Sequence, residues 1–252
     1  GSTRHPLAVA RSMSHTSDPD GRATEVRKQA WGVGVAVGTY GLGFGALAVA
    51  NGFSLWQTVA LSALVFTGAS QFALVGVVGA GGAAVTGAAA ALALGSRNAF
   101  YGLRMAPLLR VKGLKRLGAA QLTIDESTAV AIAQPTPTLS RLGFWTTGIA
   151  VFVCWNVATV AGAFAVDQVS DPQVIGLDAA VGAAFLALLW PQLTTPKARA
   201  VAGGAALLAL MLTPLITPGL PVLAAAAVAV TAAWPEPRIH HATGREREVG
   251  DE

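Results

Sequence analysis

Charge is what this sequence has least of. Asp, Glu, Lys and Arg make up only 12% of its 252 residues, where a soluble domain carries roughly a quarter. The shortage is concentrated in long stretches. From Ala30 to Leu108 the only ionised side chains are Arg97 and Arg104, from Leu142 to Pro196 there are three aspartates and nothing else, and from Ala200 to Pro235 there are none. A water-soluble chain must cover its surface with something polar, and these stretches offer too little. The composition excludes a soluble globular domain and points to an integral membrane protein.

Other absences narrow the function classes. No histidine occurs between Ala30 and Arg238; His5, His15, His240 and His241 all lie in the flanks. That removes His-based catalysis from the apolar body, and no metal site is expected. Neither HExxH nor GxxxxGK[ST] is present, so zinc proteolysis and a phosphate-binding loop are both excluded. The single cysteine, Cys154, cannot form an internal disulfide and reads as a small apolar packing residue. The net charge of +4 is spread over short basic segments between apolar runs, not gathered in one groove, which argues against a nucleic-acid partner. The first 21 residues lack a sustained apolar core, so no cleaved signal peptide is expected.

What is present is Ala, Gly, Val and Leu, 53% hydrophobic residues in all and 29 glycines, with a mean hydropathy of +0.56. A membrane span needs about 20 apolar residues. Such segments lie at 31–50, 56–80, 83–108 (interrupted by GSRN at 95–98), a weaker one at 117–133, and then 142–166, 174–192, 199–215 and 219–234. The predicted fold is all-α: a polytopic transmembrane helix bundle of about seven or eight apolar segments, some broken or re-entrant. Gly34 and Gly38, and Gly41 and Gly45, are each four apart, a spacing that lets another helix approach closely.

Basic residues mark the cytoplasmic ends of spans. Arg22, Arg27 and Lys28 place the N-terminus inside, Arg110, Lys112, Lys115 and Arg116 place their loop inside, and Arg141 does the same for the next. The count then conflicts: an even number of crossings is needed before Arg110, and three segments precede it. Either 83–108 is two segments meeting at GSRN, or it is a simple crossing, the charge rule being a bias and not a law. The 117–133 segment, with basic flanks on both sides, either enters and returns or lies across the inner face. Irregular backbone at membrane depth is tolerated only where it is buried in protein or lines a wet cavity.

Four polar features interrupt the apolar segments. Thr67, Gly68, Ser70 and Gln71 sit midway along LVFTGASQFALVG, where small and polar residues can unwind a helix and offer backbone groups to a ligand. Arg97, with Asn98 beside it, is costly in an apolar segment unless it snorkels, meets water or finds a carboxylate. Asp125 and Glu126 in LTIDEST have three open roles: pairing with Arg97, capping the helix that follows through Thr123 and Glu126, or binding a coupling cation. Asn156 and Asp178 are secondary candidates.

LVFTGASQFALVG, GSRNAFYGLRMAPLLR and LTIDEST, in this order, resemble the hallmark segments of the AzlC-type branched-chain amino acid permeases, the large subunit of two-component exporters. The resemblance runs from about residue 30 to 234. It implies a transporter of the prokaryotic cytoplasmic membrane, multi-pass with its N-terminus inside, that exports valine, leucine, isoleucine or related amino acids such as methionine beside a small AzlD-type membrane subunit. Two departures stand out. Ala99 occupies a place where the family commonly has histidine, and the opening helix lacks the proline often found near its start.

On this reading residues 1–28 form a disordered cytoplasmic tail, 29–235 the transmembrane transporter domain and 236–252 a disordered C-terminal tail. No catalytic residue and no cofactor is expected. A zwitterionic substrate needs donors for its carboxylate, available from exposed backbone N–H groups, Gln71 and Arg97. It needs acceptors for its ammonium, available from helix-end carbonyls and Asp125 or Glu126, and an apolar pocket against Phe66 or Phe72. Without a nucleotide fingerprint, energy must come from a gradient, and proton coupling through Asp125 or Glu126 is open. So is assembly into a higher oligomer. The rival classes are a channel or accessory membrane subunit and, less favoured, an intramembrane enzyme.

Overall fold

The computed structural model describes residues 19–167, 186, 189–190, 193–217 and 220–232. The described residues form an all-α bundle without strands: α1 (Pro19–Ala50), α2 (Leu55–Val65), α3 (Ala69–Gly79), α4 (Ala84–Gly95), α5 (Arg97–Leu109), α6 (Leu114–Gln121), α7 (Asp125–Ile132), α8 (Pro137–Asp167), α9 (Pro196–Leu212) and α10 (Leu220–Ala232). Two helices, α1 and α8, are long and apolar enough to cross a membrane, and α2 and α3 are shorter apolar helices. Helix α1 begins at Pro19, inside the stretch expected to be a tail. The expected segment at 174–192, and Asp178 with it, lies almost wholly outside the described residues.

The frame is the α1–α8 pair. Gly34 meets Ala150, Gly38 meets Cys154, Gly41 meets Trp155 and Ala158, and Gly45 meets Thr159 and Ala163. Both sets of numbers rise together, so the two helices run parallel. The predicted small face is real, and α8 is the helix that approaches it. The approach is intimate: a Cβ on Gly45 would fall on the Thr159 carbonyl oxygen, and one on Gly162 of α8 on the Leu42 carbonyl oxygen. Such seams replace hydrophobic driving force with close van der Waals contact. A buried hydrogen bond from Ser62 Oγ on α2 to Thr159 Oγ1 (3.1 Å) ties a third helix to this seam.

Between the two long helices the chain runs through three interrupted helix pairs. Asn51 and Gly52 end α1, and Ser54 opens α2 with a reciprocal cap: the Gln57 N–H donates to Ser54 Oγ (3.2 Å) and the Ser54 N–H to Gln57 Oε1 (2.8 Å). The segment 56–80, expected as one span, does not run straight through. It stops at Phe66 (φ +32°), turns at Gly68 (φ +59°) and comes back as α3. Gly79, at the end of α3, packs on the Asn51 side chain at the end of α1. Helices α2 and α3 are therefore a hairpin whose tip packs with Phe44 of α1 and Trp155 of α8.

The α4–α5 pair behaves differently. Helix α4 descends beside α3, bringing Gly95 next to Ser70 Oγ near the hairpin tip. After a break at Ser96, α5 continues in the same sense and buries Met105 and Leu109 against Phe144 near the start of α8. The interruption at GSRN is thus a break between two helices that run in the same sense, and the chain reverses at 66–68 instead. Helices α6 and α7 form a second hairpin of opposite sense. It leaves the basic end at Leu114, reaches Gln121, whose Nε2 donates to Ala63 O at the end of α2 (2.8 Å), and returns so that Val130 packs on Gly143. Of the two courses open to 117–133, the chain enters and returns.

Candidate functional site

The three interruptions, at 66–68, 96 and 122–124, converge. The tip of the first hairpin faces the tip of the second, with the α4–α5 break beside them. Between them lies a cavity of about 540 Å³, within the range of small-molecule sites. Its polar wall is Thr67, Gly68, Arg97, Tyr101, Asp125 and Glu126; its apolar wall includes Val37, Phe66, Leu94, Ile124, Val151 and Trp155.

Three helices begin at this cavity: α3 at Ala69, α5 at Arg97 and α7 at Asp125. The first N–H groups of each have no partner within their own helix, and the peptide dipoles give each start partial positive charge. Asp125 and Glu126 in the first turn of α7 complement that field. The Arg97 guanidinium (Nη1) donates to Asp125 Oδ2 at 2.9 Å, with the two side chains 43% and 39% accessible. The ion pair is lodged at the edge of open space, so a ligand can reach both charges. Of the roles open to the acid pair, Asp125 takes the one that neutralises Arg97. The Thr123–Glu126 cap does not form: Thr123 Oγ1 donates back to Ala119 O (2.6 Å), and the α7 cap is made by Ser127, whose Oγ accepts the Ile124 N–H (3.1 Å).

Other candidates fall differently. Thr67 and Gly68 line the cavity, and Thr67 Oγ1 is buried with no hydrogen-bond partner among the described residues. The unwinding anticipated at TGASQ occurs there. Ser70 and Gln71 lie behind the cavity wall. Gln71 is fully buried, and both ends of its amide are occupied: Oε1 accepts the Gly68 N–H (3.1 Å) and Nε2 donates to Leu61 O (2.7 Å). Its geometry is that of a strut, not of a donor to a ligand. Asn98 is not among the lining residues, and its Oδ1 is buried with no hydrogen-bond partner among the described residues. Asn156 bonds its own helix at Phe152 O (2.8 Å).

Two residues were not anticipated. Trp155, 4% exposed, closes the apolar wall, stacks on Phe44 (6.2 Å) and meets Phe72 edge to face. Its signal in the sequence, an aromatic in an apolar helix, does not separate a cavity wall from a lipid-facing residue. Tyr101, one turn after Arg97, stands on the polar wall.

These features define a class: a membrane-associated helical protein with an amphipathic, ion-paired cavity held between opposed hairpin tips. The family model described as AzlC protein matches residues 32–169, more than half of the chain and all of the cavity's polar wall. The chain belongs to the AzlC family, whose members are membrane transporters and not enzymes, consistent with a role in amino-acid transport. Comparison with curated proteins and with solved structures finds no match.

Proposed function

We propose that the protein is a secondary transporter that exports branched-chain or related hydrophobic amino acids: valine, leucine and isoleucine, with methionine of the same class. The observation that carries the reading is the Arg97–Asp125 pair in a cavity otherwise lined largely by aliphatic and aromatic side chains. An α-amino acid matches this arrangement group for group. Its carboxylate is drawn to Arg97 and to the α3 start at Ala69, where the first helical N–H groups favour an anion. Its ammonium is drawn to Asp125 and Glu126, and its aliphatic side chain to Val37, Phe66, Val151 and Trp155.

A zwitterion inserted into the Arg97–Asp125 pair exchanges one neutral pairing for two, so no charge is left uncompensated in a low-dielectric site. Glu126 remains as the group through which a proton gradient would couple. In this reading α1, α4–α5 and α8 cross the cytoplasmic membrane, the two hairpins are re-entrant, and the basic end with the N-terminus faces the cytoplasm. A small AzlD-type subunit is the expected partner.

The test is counterflow in proteoliposomes preloaded with leucine, with labelled leucine outside, with and without the small subunit. Saturable uptake is expected, abolished by Arg97→Ala and strongly reduced by Asp125→Asn in protein that still elutes as a folded species. No counterflow of any amino acid with the partner present would overturn the reading. Flux that follows potential without saturating would favour a channel.

A further inference from the structure

The two hairpins share more than their meeting point. Each follows a traverse of the bundle, α1 before α2–α3 and α4–α5 before α6–α7, and the two traverses run in opposite senses. The unit of one traverse and one hairpin is therefore present twice, the second time upside down. Residue identity hides the relation, since TGASQ and TIDES share little, but the hydrogen bonds repeat. In α3 the third residue is Gln71; in α7 it is Ser127. Both are 0% exposed. Gln71 Oε1 accepts the N–H of the residue that precedes its helix, Gly68, at 3.1 Å, and Ser127 Oγ accepts that of Ile124 at 3.1 Å. Each then donates backward along the chain: Gln71 Nε2 to Leu61 O within α2 at 2.7 Å, and Ser127 Oγ to the carbonyl of Leu122, the residue just past the end of α6, at 2.6 Å.

We propose that Gln71 and Ser127 are a matched pair of positioning residues, each locking one hairpin tip so that the start of its outgoing helix faces the cavity. Neither touches the ligand space. Gln71 ties the two arms of its hairpin across the turn and Ser127 ties α7 to the turn residues Leu122 and Ile124, where the backbone has left helical geometry and would otherwise leave buried polar groups unpaired. The tips thereby become two separately fastened gates, one toward the end that carries Gly79 and one toward the end that carries Arg110. This assignment builds on the transport reading for its meaning, yet tip accessibility can be measured whether or not the protein transports.

The experiment uses the full chain in membrane vesicles of both orientations, in a Cys154→Ala background that removes the single native thiol. Ala69→Cys reports the first tip and Ile124→Cys the second, each by its rate of reaction with a membrane-impermeant maleimide. Loss of one buried hydrogen-bonded lock is expected to raise the open population about tenfold. Gln71→Met should raise labelling at position 69 by that factor, from the Gly79 face, and leave position 124 within about twofold. Ser127→Ala should do the converse from the Arg110 face, and Ser127→Thr, which keeps the hydroxyl, should restore the original rate. Gln71→Leu, which also removes both bonds without burying a charge, serves if Gln71→Met fails to fold. Both tips loosening together in either variant, or neither tip responding in protein with an unchanged elution profile, would overturn the proposal. Failed leucine counterflow with tip-specific labelling intact would strike the substrate reading alone.

Discussion

Gly43 and Gly45 lie two residues apart on α1 and should respond to alanine in opposite directions. Around Gly43 none of the described residues lies within 4 Å of a built Cβ, so Gly43→Ala gains only the helix preference of alanine, about 1 kcal/mol. Gly45→Ala gains the same preference and meets the Thr159 carbonyl oxygen, with Ala163 N at 2.8 Å. Those atoms are backbone of a helix packed along its whole length, so no side-chain rotation relieves the contact. Overpacking costs typically about 1–3 kcal/mol, and a backbone obstruction belongs at the upper end.

The two variants should therefore differ by about 2–3 kcal/mol, which for a chain of this size is a gap of roughly 4–12 °C in midpoint. The assay is thermal denaturation of purified protein in one detergent, followed by size-exclusion fluorescence, with Gly162→Ala as a second probe of the seam from the α8 side. Equal midpoints for Gly43→Ala and Gly45→Ala would refute the close parallel packing of α1 on α8.

Two further predictions concern the first hairpin. A double-mutant cycle with Ser62→Ala and Thr159→Val should give a coupling energy of about 0.5–1 kcal/mol, the usual worth of one hydrogen bond between membrane helices; a value indistinguishable from zero by the same melting assay would remove that bond from the account of the fold. Gly68 has φ +59° and ψ −91°, a region that glycine alone occupies readily. Because the space beside it is open, with Trp155 3.9 Å from a built Cβ, Gly68→Ala and Gly68→Asn should both cost about 1–3 kcal/mol through backbone strain alone, and a midpoint unchanged in both would contradict the turn.

The membrane class, the close helix approach on α1 and the three interruptions were legible because each is written as composition: an absence of charge, small residues at four-residue spacing, polar groups in apolar runs. The partnership of Arg97 and Asp125 was legible as one of three options, since a charge in such surroundings needs an opposite. The reversal at 66–68 was not. The 56–80 segment has the length and hydropathy of a crossing, and apolarity does not distinguish a straight helix from one folded in half. What decides it is the non-helical backbone at Phe66 and Gly68 and the two bonds of Gln71, none of which leaves a periodic trace. The same holds for the second tip. Thr123 and Glu126 have the spacing of a reciprocal cap, but the helix begins one residue later, so Ser127 makes the bond and Glu126 is released to the cavity.

The parallel run of α1 and α8 has a consequence for biogenesis. The partners of Gly45, Thr159 and Ala163, emerge more than a hundred residues after it, on the order of ten seconds later at ordinary synthesis rates. During that interval the glycine face lacks these partners, and both hairpins are synthesised before the helix that confines them exists. Helix α8 is thus a clasp fitted after the parts it holds. It supplies Val151 and Trp155 to the cavity, so a nascent chain that stops short of α8 has its charged wall but lacks these two residues of the apolar one.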